Sequence, residues 1–430
     1  MTKFIFGIIQ ASFLLLSVTV YADDSTDIKI SLIKSANSEW RVSYQLPKAV
    51  KQLVFLRSPN DARVKRWISE SPNLELVFED NYEVVRHQFG ESFTVATFKL
   101  TPNYVHLPKD YAPFMQFSNG GIAIYTGRYF VCLETCETDT NKWSFNLTAA
   151  DTDTIISNGN LSVGSASWVD KDSGQNVYVG AQKPLESSHF FGIIDPILPK
   201  EIVKPLNKSL PELMDFFAEK LGLVDDKPLV FASFEKKDKT VKPGSQGGTL
   251  PNQVFMFWYG GDIKERATQN NFLEGLLWFF GHEAAHFYQK GNFDNKHAWI
   301  HEGSAELMAY LALNEIMPKT RDYTEKKLNF ADAMCKKKRE KISLDKASET
   351  GEFKMHYNCG LVLLKQLHED ILSKHPDSDG IYLIWRNYLS AISNGEIAND
   401  KSFLIQVAKL VGDDKTRQMS GYLTALENQQ

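Results

Sequence analysis

The chain has 430 residues, 43% hydrophobic and 23% charged, with a formal net charge of -5. That length is too great for one ordinary core and implies two or three domains, and the composition excludes disorder and fibrous architectures. The negative balance argues against a general nucleic-acid or anionic-membrane surface, which needs a concentrated positive field; the basic run Lys336-Lys337-Lys338-Arg339 is read as a solvated helix face.

Taken from its start, the sequence opens on a segment that reads as a secretory signal over residues 1–22. Lys3 precedes an apolar stretch over 4–20, and Val20-Tyr21-Ala22 offers a small-residue cleavage site. The expectation is export, periplasmic or secreted, with no stable membrane span after cleavage, because no later stretch is long enough to cross a bilayer. Four cysteines suit an oxidising compartment. The expected pairs are Cys132 with Cys136 and Cys335 with Cys359. A cysteine zinc site is the rival reading, although thiolate ligands usually come as closely spaced pairs.

Residues 23–195 carry short apolar runs such as Trp40-Arg41-Val42-Ser43-Tyr44 and Phe93-Thr94-Val95-Ala96-Thr97, separated by polar turn residues. They read as an all-β domain, expected to be a sandwich. Pro199 and Pro205 punctuate the next stretch, and a helix is predicted over 210–223. Strands follow over 228–234 and 254–259, flanked by apparent glycine turns at Gly247-Gly248 and Gly260-Gly261. Residues 271–290 are strongly apolar and free of proline, which predicts a mostly buried helix ended by Gly291-Asn292. A second helix over 299–317 stops at Pro318. The expected organisation is α+β: the β domain, a central α+β region over 196–318, and a helical region over 319–430.

The chemistry lies in these two central helices. Gly281-His282-Glu283-Ala284-Ala285-His286 is an HExxH pattern inside the first. Residues four apart share one helix face, so His282 and His286 can turn imidazole nitrogens onto a single ion. The neighbouring Glu283 is directed instead toward a water beside that ion, where it can act as general base. A zinc site that keeps an open position needs a third protein ligand. The second helix offers Glu302 in Trp299-Ile300-His301-Glu302-Gly303-Ser304-Ala305-Glu306. His297 and His301 are the rival third ligands. Glu306, one turn beyond Glu302, is placed to hydrogen-bond a ligating histidine.

His282 to His286 followed by Trp299-Ile300-His301-Glu302-Gly303 resembles the gluzincin peptidases, especially aminopeptidase-N-like and glycyl-aminopeptidase-like enzymes. The resemblance implies a thermolysin-like catalytic domain, one Zn2+ per chain held by His282, His286 and Glu302, and a peptide or protein substrate. Tyr357 in His356-Tyr357-Asn358-Cys359-Gly360 is similar to a family tyrosine whose hydroxyl stabilises the oxyanion; Cys359 stands where the family has lysine. The family also has a glycine-rich edge strand whose glutamate grips a substrate amino terminus. This chain has Gly247-Gly248-Thr249-Leu250-Pro251-Asn252-Gln253 there, with no acidic residue, so aminopeptidase versus endopeptidase activity stays open. The alternative to a zinc peptidase is an inactive, peptidase-like protein that captures peptides without turning them over.

Overall fold

The computed structural model describes residues 28–426 apart from 103–106, 108–109, 137–141, 171–172, 187–189, 225–226, 237–241, 270 and 290–296. The expected signal segment and the helix stop at Gly291-Asn292 lie outside the described residues.

The N-terminal half is built of three sheets rather than a simple two-sheet sandwich. A six-stranded sheet is centred on the antiparallel pair Ile28–Lys34 and Trp40–Val50, in which Ile30 lies opposite Tyr44 and Leu32 opposite Val42. Strict alternation along Ile28–Lys34 sends Ile28, Ile30 and Leu32 inward. A four-stranded sheet contains the hairpin Leu74–Glu79 and Tyr82–His87, and a five-stranded sheet contains Thr154–Ser157, Asn176–Gly180 and Ile122–Tyr125. This last sheet is buried on both faces. Ile122, Ile124, Val177 and Val179 join the N-terminal core, whereas Ala123, Tyr125 and Tyr178 face a second core.

The other wall of that second core is a five-stranded mixed sheet in the order Leu185–Glu186, Phe191–Ile194, Leu229–Glu235, Gln253–Tyr259 and Gly244–Leu250. Its alternation is equally plain: Leu229, Phe231, Phe255 and Phe257 face the β region, and Val230, Ala232, Val254 and Trp258 face the helices. Burial on both sides explains why the predicted strands read as continuous apolar runs. Two of the five strands precede residue 195, so the sheet straddles the expected boundary there. The glycine turn expected at Gly247-Gly248 is instead the middle of the edge strand Gly244–Leu250, paired antiparallel to Gln253–Tyr259. Glycine lowers strand propensity, which hid the strand from its sequence.

Nine α-helices complete the described chain: α1 (Lys200–Leu221), α2 (Ile263–Ala267), α3 (Phe272–Gln289), α4 (Ala298–Ile316), α5 (Arg321–Arg339), α6 (Lys354–Lys374), α7 (Ile381–Ser393), α8 (Asp400–Val411) and α9 (Asp413–Thr424). Helix α1 starts ten residues earlier than predicted and contains Pro205 and Pro211. Burial of Ile202, Leu206, Leu210, Leu213, Met214 and Phe217 outweighs the propensity cost of the two prolines. The architecture is therefore α+β, with a β-sheet region, a mixed central region and a C-terminal helical bundle. Both cysteine pairs are disulfides, Cys132–Cys136 and Cys335–Cys359, which removes the cysteine zinc site. The basic run is not wholly solvated: Arg339 is 1% exposed, stacks 3.6 Å from the Tyr422 ring centroid and donates to the carbonyls of Tyr422 and Ala425 at the end of α9.

Candidate metal centre

Helix α3 is apolar around most of its circumference, which buries it between α1 and α4. The polar exceptions are the motif residues. His282 is 6% and Glu283 9% exposed, and unpaired polar side chains at that depth would be costly. Helix α4 brings Glu302 against them. The three ligand-type atoms form a small triangle: His282 Nε2 to His286 Nε2 is 3.1 Å, His282 Nε2 to Glu302 Oε2 is 3.2 Å, and His286 Nε2 to Glu302 Oε2 is 3.4 Å.

Those lengths fit a zinc ion well. Bonds of ~2.0–2.2 Å at tetrahedral angles put neighbouring ligand atoms ~3.3–3.6 Å apart. Glu302 Oε2 is buried and has no hydrogen-bond partner despite the two imidazoles beside it, as a cation ligand would be. Among the described residues these three form the one group of His, Cys, Asp and Glu side chains able to hold a metal ion. The rival ligands are engaged elsewhere: His297 faces Asp400 at 3.6 Å, and His301 Nε2 lies 3.5 Å from the other oxygen of Glu302.

The surroundings orient the two histidines. Glu306 Oε1 lies 3.2 Å from His282 Nδ1, and its Oε2 accepts from Trp278 Nε1 at 2.8 Å. His286 Nδ1 meets Gln289 Oε1 at 2.8 Å, and Gln289 Nε2 in turn donates to the His301 carbonyl at 2.9 Å. Each imidazole thus has one nitrogen facing a side-chain oxygen, Glu306 Oε1 for His282 and Gln289 Oε1 for His286, and the other aimed at the shared point. Burial raises the Glu302 carboxyl, but the adjacent imidazoles of His282, His286 and His301 outweigh it and hold that group far below the ordinary carboxylate range. Burial also lifts the Glu283 carboxyl, against the pull of His282 and His286.

Tyr357, from the first turn of α6, stacks on His282 with ring centroids 5.6 Å apart and 15° between planes. Burial, the largest cause, together with the nearby carboxylates of Glu302, Glu283 and Glu306 keeps its hydroxyl firmly protonated. It reaches this position because α4 and α6 touch backbone to backbone: a Cβ on Gly303 would meet Gly360 Cα at 2.5 Å. The structure thus brings together all six sequence-predicted residues: His282, Glu283, His286, Glu302, Glu306 and Tyr357.

Three participants were missed in reading the sequence. The Thr249 hydroxyl donates to Glu283 Oε2 from the edge strand. Tyr111, from the β region, donates to the Thr249 carbonyl at 3.3 Å; burial first, then the charges of Glu283, Asp110 and Glu302, pushes its hydroxyl up to about 12. Gln289 anchors His286. Gln289 lies three residues after His286 and was findable from helix spacing; Thr249 and Tyr111 arrive from distant segments and carry no such signal.

No family model matches the chain, and no curated protein matches it in sequence. Solved structures do share its fold. An aminopeptidase N family protein from Idiomarina loihiensis superposes with a TM-score of 0.66 at 12% identity, over 93% of this chain and 76% of that one. A variant of an M1 zinc metallopeptidase from Deinococcus radiodurans, bound to a Tyr-Ser-Ala substrate, gives 0.52 at 11% identity over 93% and 94%. Yeast LTA4 hydrolase in complex with bestatin gives 0.51 at 9% identity over 92% and 65%. At such identities the likeness is one of fold: the α+β architecture is shared with these three structures.

Proposed function

We propose that this chain is an extracytoplasmic zinc peptidase, with His282, His286 and Glu302 as the metal ligands, Glu306 as the carboxylate orienting His282, and a thermolysin-like catalytic unit within 196–318. The observation that carries this reading is the triangle of ligand atoms at near-tetrahedral spacing beside a buried glutamate. The shared fold of zinc metallopeptidases supports it, and the two disulfides suit an oxidising compartment. No helix among the described residues is long and apolar enough to cross a membrane.

Zinc bound by these residues supplies Lewis-acid polarisation of a scissile carbonyl and a lowered water pKa. Glu283 then does the proton work: it accepts a proton from the attacking water and passes it to the leaving amine. A carboxyl raised by burial is suited to both halves of that transfer, and Thr249 holds one of its oxygens in place. Tyr357, protonated and stacked against His282, donates a hydrogen bond to the substrate oxygen where negative charge develops. Among the described residues the edge strand Gly244–Leu250 has no strand partner on one side, so an extended peptide can add to it by main-chain hydrogen bonds. Peptide bonds are therefore the proposed target.

Glu283→Gln is the direct test. The variant should keep its zinc and lose about 10²–10⁴-fold in peptide hydrolysis; turnover at the wild-type rate would sink the general-base assignment.

A further inference from the structure

Beside the site, the β region and the edge strand enclose a cleft of ≈ 600 Å³ lined by Arg57, Asp110, Tyr111, Tyr125, Gln246 and Thr249. Thr249 hydrogen-bonds Glu283 and Tyr111 caps the Thr249 carbonyl, so a group filling this cleft lies next to the general base.

The charges around the cleft do not balance. Three guanidinium groups, of Arg57, Arg63 and Arg128, share two carboxylates, of Glu83 and Asp110. Arg63 and Arg128 are 4% and 2% exposed and take the close contacts: Arg63 pairs with Glu83, and Arg128 Nη1 donates to Asp110 Oδ2 at 3.1 Å. The remaining Asp110 oxygen already accepts the Tyr111 N–H at 2.8 Å. Arg57 is left 3.6 Å from that oxygen, beyond hydrogen-bonding reach. Its Nε is buried without a partner, while its side chain keeps 31% exposure. Its guanidinium lies 5.9 Å from the Tyr125 ring centroid and donates no hydrogen bond to the described residues. Asp110, the acid lining the cleft, is committed to Arg128, so among the described lining residues there is no free counter-ion for a substrate ammonium group.

We propose that Arg57 is a specificity residue that receives a carboxylate of the peptide substrate close to the scissile bond. A carboxylate supplies the missing acceptor in bidentate form, restores charge balance, and does so in a partly desolvated cleft where the pair is stronger than at the surface. Two sources carry that group, an acidic side chain and a chain-terminal carboxylate. The inference rests on the peptidase reading for its place in catalysis; the charge imbalance stands without it.

The test uses matched quenched fluorescent peptides that differ by Glu or Gln at each residue flanking the cleaved bond, each with a free or amidated C-terminus. Wild type should prefer one carboxylate-bearing member by roughly ten-fold or more in kcat/KM, as expected when a polar partner is left unpaired. Which pair shows the preference identifies the source. In Arg57→Gln the ratio should collapse toward one, and in Arg57→Lys, which keeps the charge without the fork, it should fall between. Calorimetric binding of the same peptides to the zinc-loaded full chain carrying Glu283→Gln supplies a readout without turnover. Equal hydrolysis and equal binding of the Glu and Gln peptides would overturn the subsite and leave the peptidase reading intact. Carboxylate-dependent binding that is lost in Arg57→Gln, without hydrolysis by wild type, would uphold the subsite and refute the peptidase. No binding and no hydrolysis of any of these peptides would overturn both.

Discussion

Glu306 shows how much of the proposed metal site lies outside its ligands. It spans Trp278 and His282, so it sets which nitrogen of His282 carries hydrogen and where the other points. Glu306→Ala is expected to weaken zinc affinity about 10–100-fold while leaving the Glu302 contact with His286 in place; competition with a chromogenic chelator measures it, and unchanged affinity would remove Glu306 from the site. At this scale the sequence was informative where spacing along one helix decides the geometry: His282 with His286 and Glu302 with Glu306 are both four-residue steps. Thr249, Tyr111 and Arg57 were invisible because their contacts span long sequence separations, and nothing in a threonine, a tyrosine or an arginine on a β segment announces a partner elsewhere.

Two helices crossing at glycine explain how Tyr357 reaches a site built on α3 and α4. A Cβ at Gly303 would sit 2.5 Å from Gly360 Cα, and one at Gly360 would sit 2.7 Å from Gly303 Cα; both neighbours are backbone and cannot rotate away. Gly303→Ala is therefore predicted to cost about 1–3 kcal/mol or more and to cut activity by moving Tyr357 from His282. Thermal unfolding paired with kcat would reveal a variant of wild-type stability and rate if the crossing is looser than described. The glycine of the Glu302-Gly303 pair thus has a packing reason that its sequence alone could not supply. The disulfide between Cys335 and Cys359 fastens α5 to α6 two residues beyond Tyr357, and Cys359, in the lysine position of the resembling family, is spent on that staple.

The start of α6 also carries a pH-sensitive group. His356 is fully buried and accepts or donates a hydrogen bond with Ser348 Oγ at 2.8 Å; burial first, and the nearby His301 second, lowers it from 6.5 to about 4. Its folded-state pKa is depressed, so it is neutral in the fold while the unfolded chain takes up a proton below 6.5. Stability is then complete above 6.5 and declines as pH falls toward 4, by on the order of 3 kcal/mol at ~1.4 kcal/mol per unit. Urea unfolding at pH 7 and pH 5 should show about 2 kcal/mol of that loss, and His356→Gln should flatten it; an equal loss in the variant would assign the effect to other groups.

The whole molecule is a stack in which each layer depends on the next. Its α+β class and the order of β region, mixed region and helices were legible, because patterning of period two gives way to helical periodicity along the chain. The three-sheet arrangement was not. Strands such as Phe191–Ile194 and Gly244–Leu250 are too short or too glycine-rich to show their sheet, and only pairing with Leu229–Glu235 and Gln253–Tyr259 assigns them. That pairing matters for function, since it places the edge strand between the β region and the metal centre, and with it Thr249 and the Arg57 cleft.

The central claim is that α3 and α4 converge to bind zinc through three side chains. Elemental analysis of the purified protein, wild type beside Glu302→Ala, tests it most directly. The account predicts one zinc per chain in wild type and its loss or sharp weakening in the variant, with the fold retained. A wild type that binds no zinc, or a Glu302→Ala protein that binds it unchanged, would contradict it.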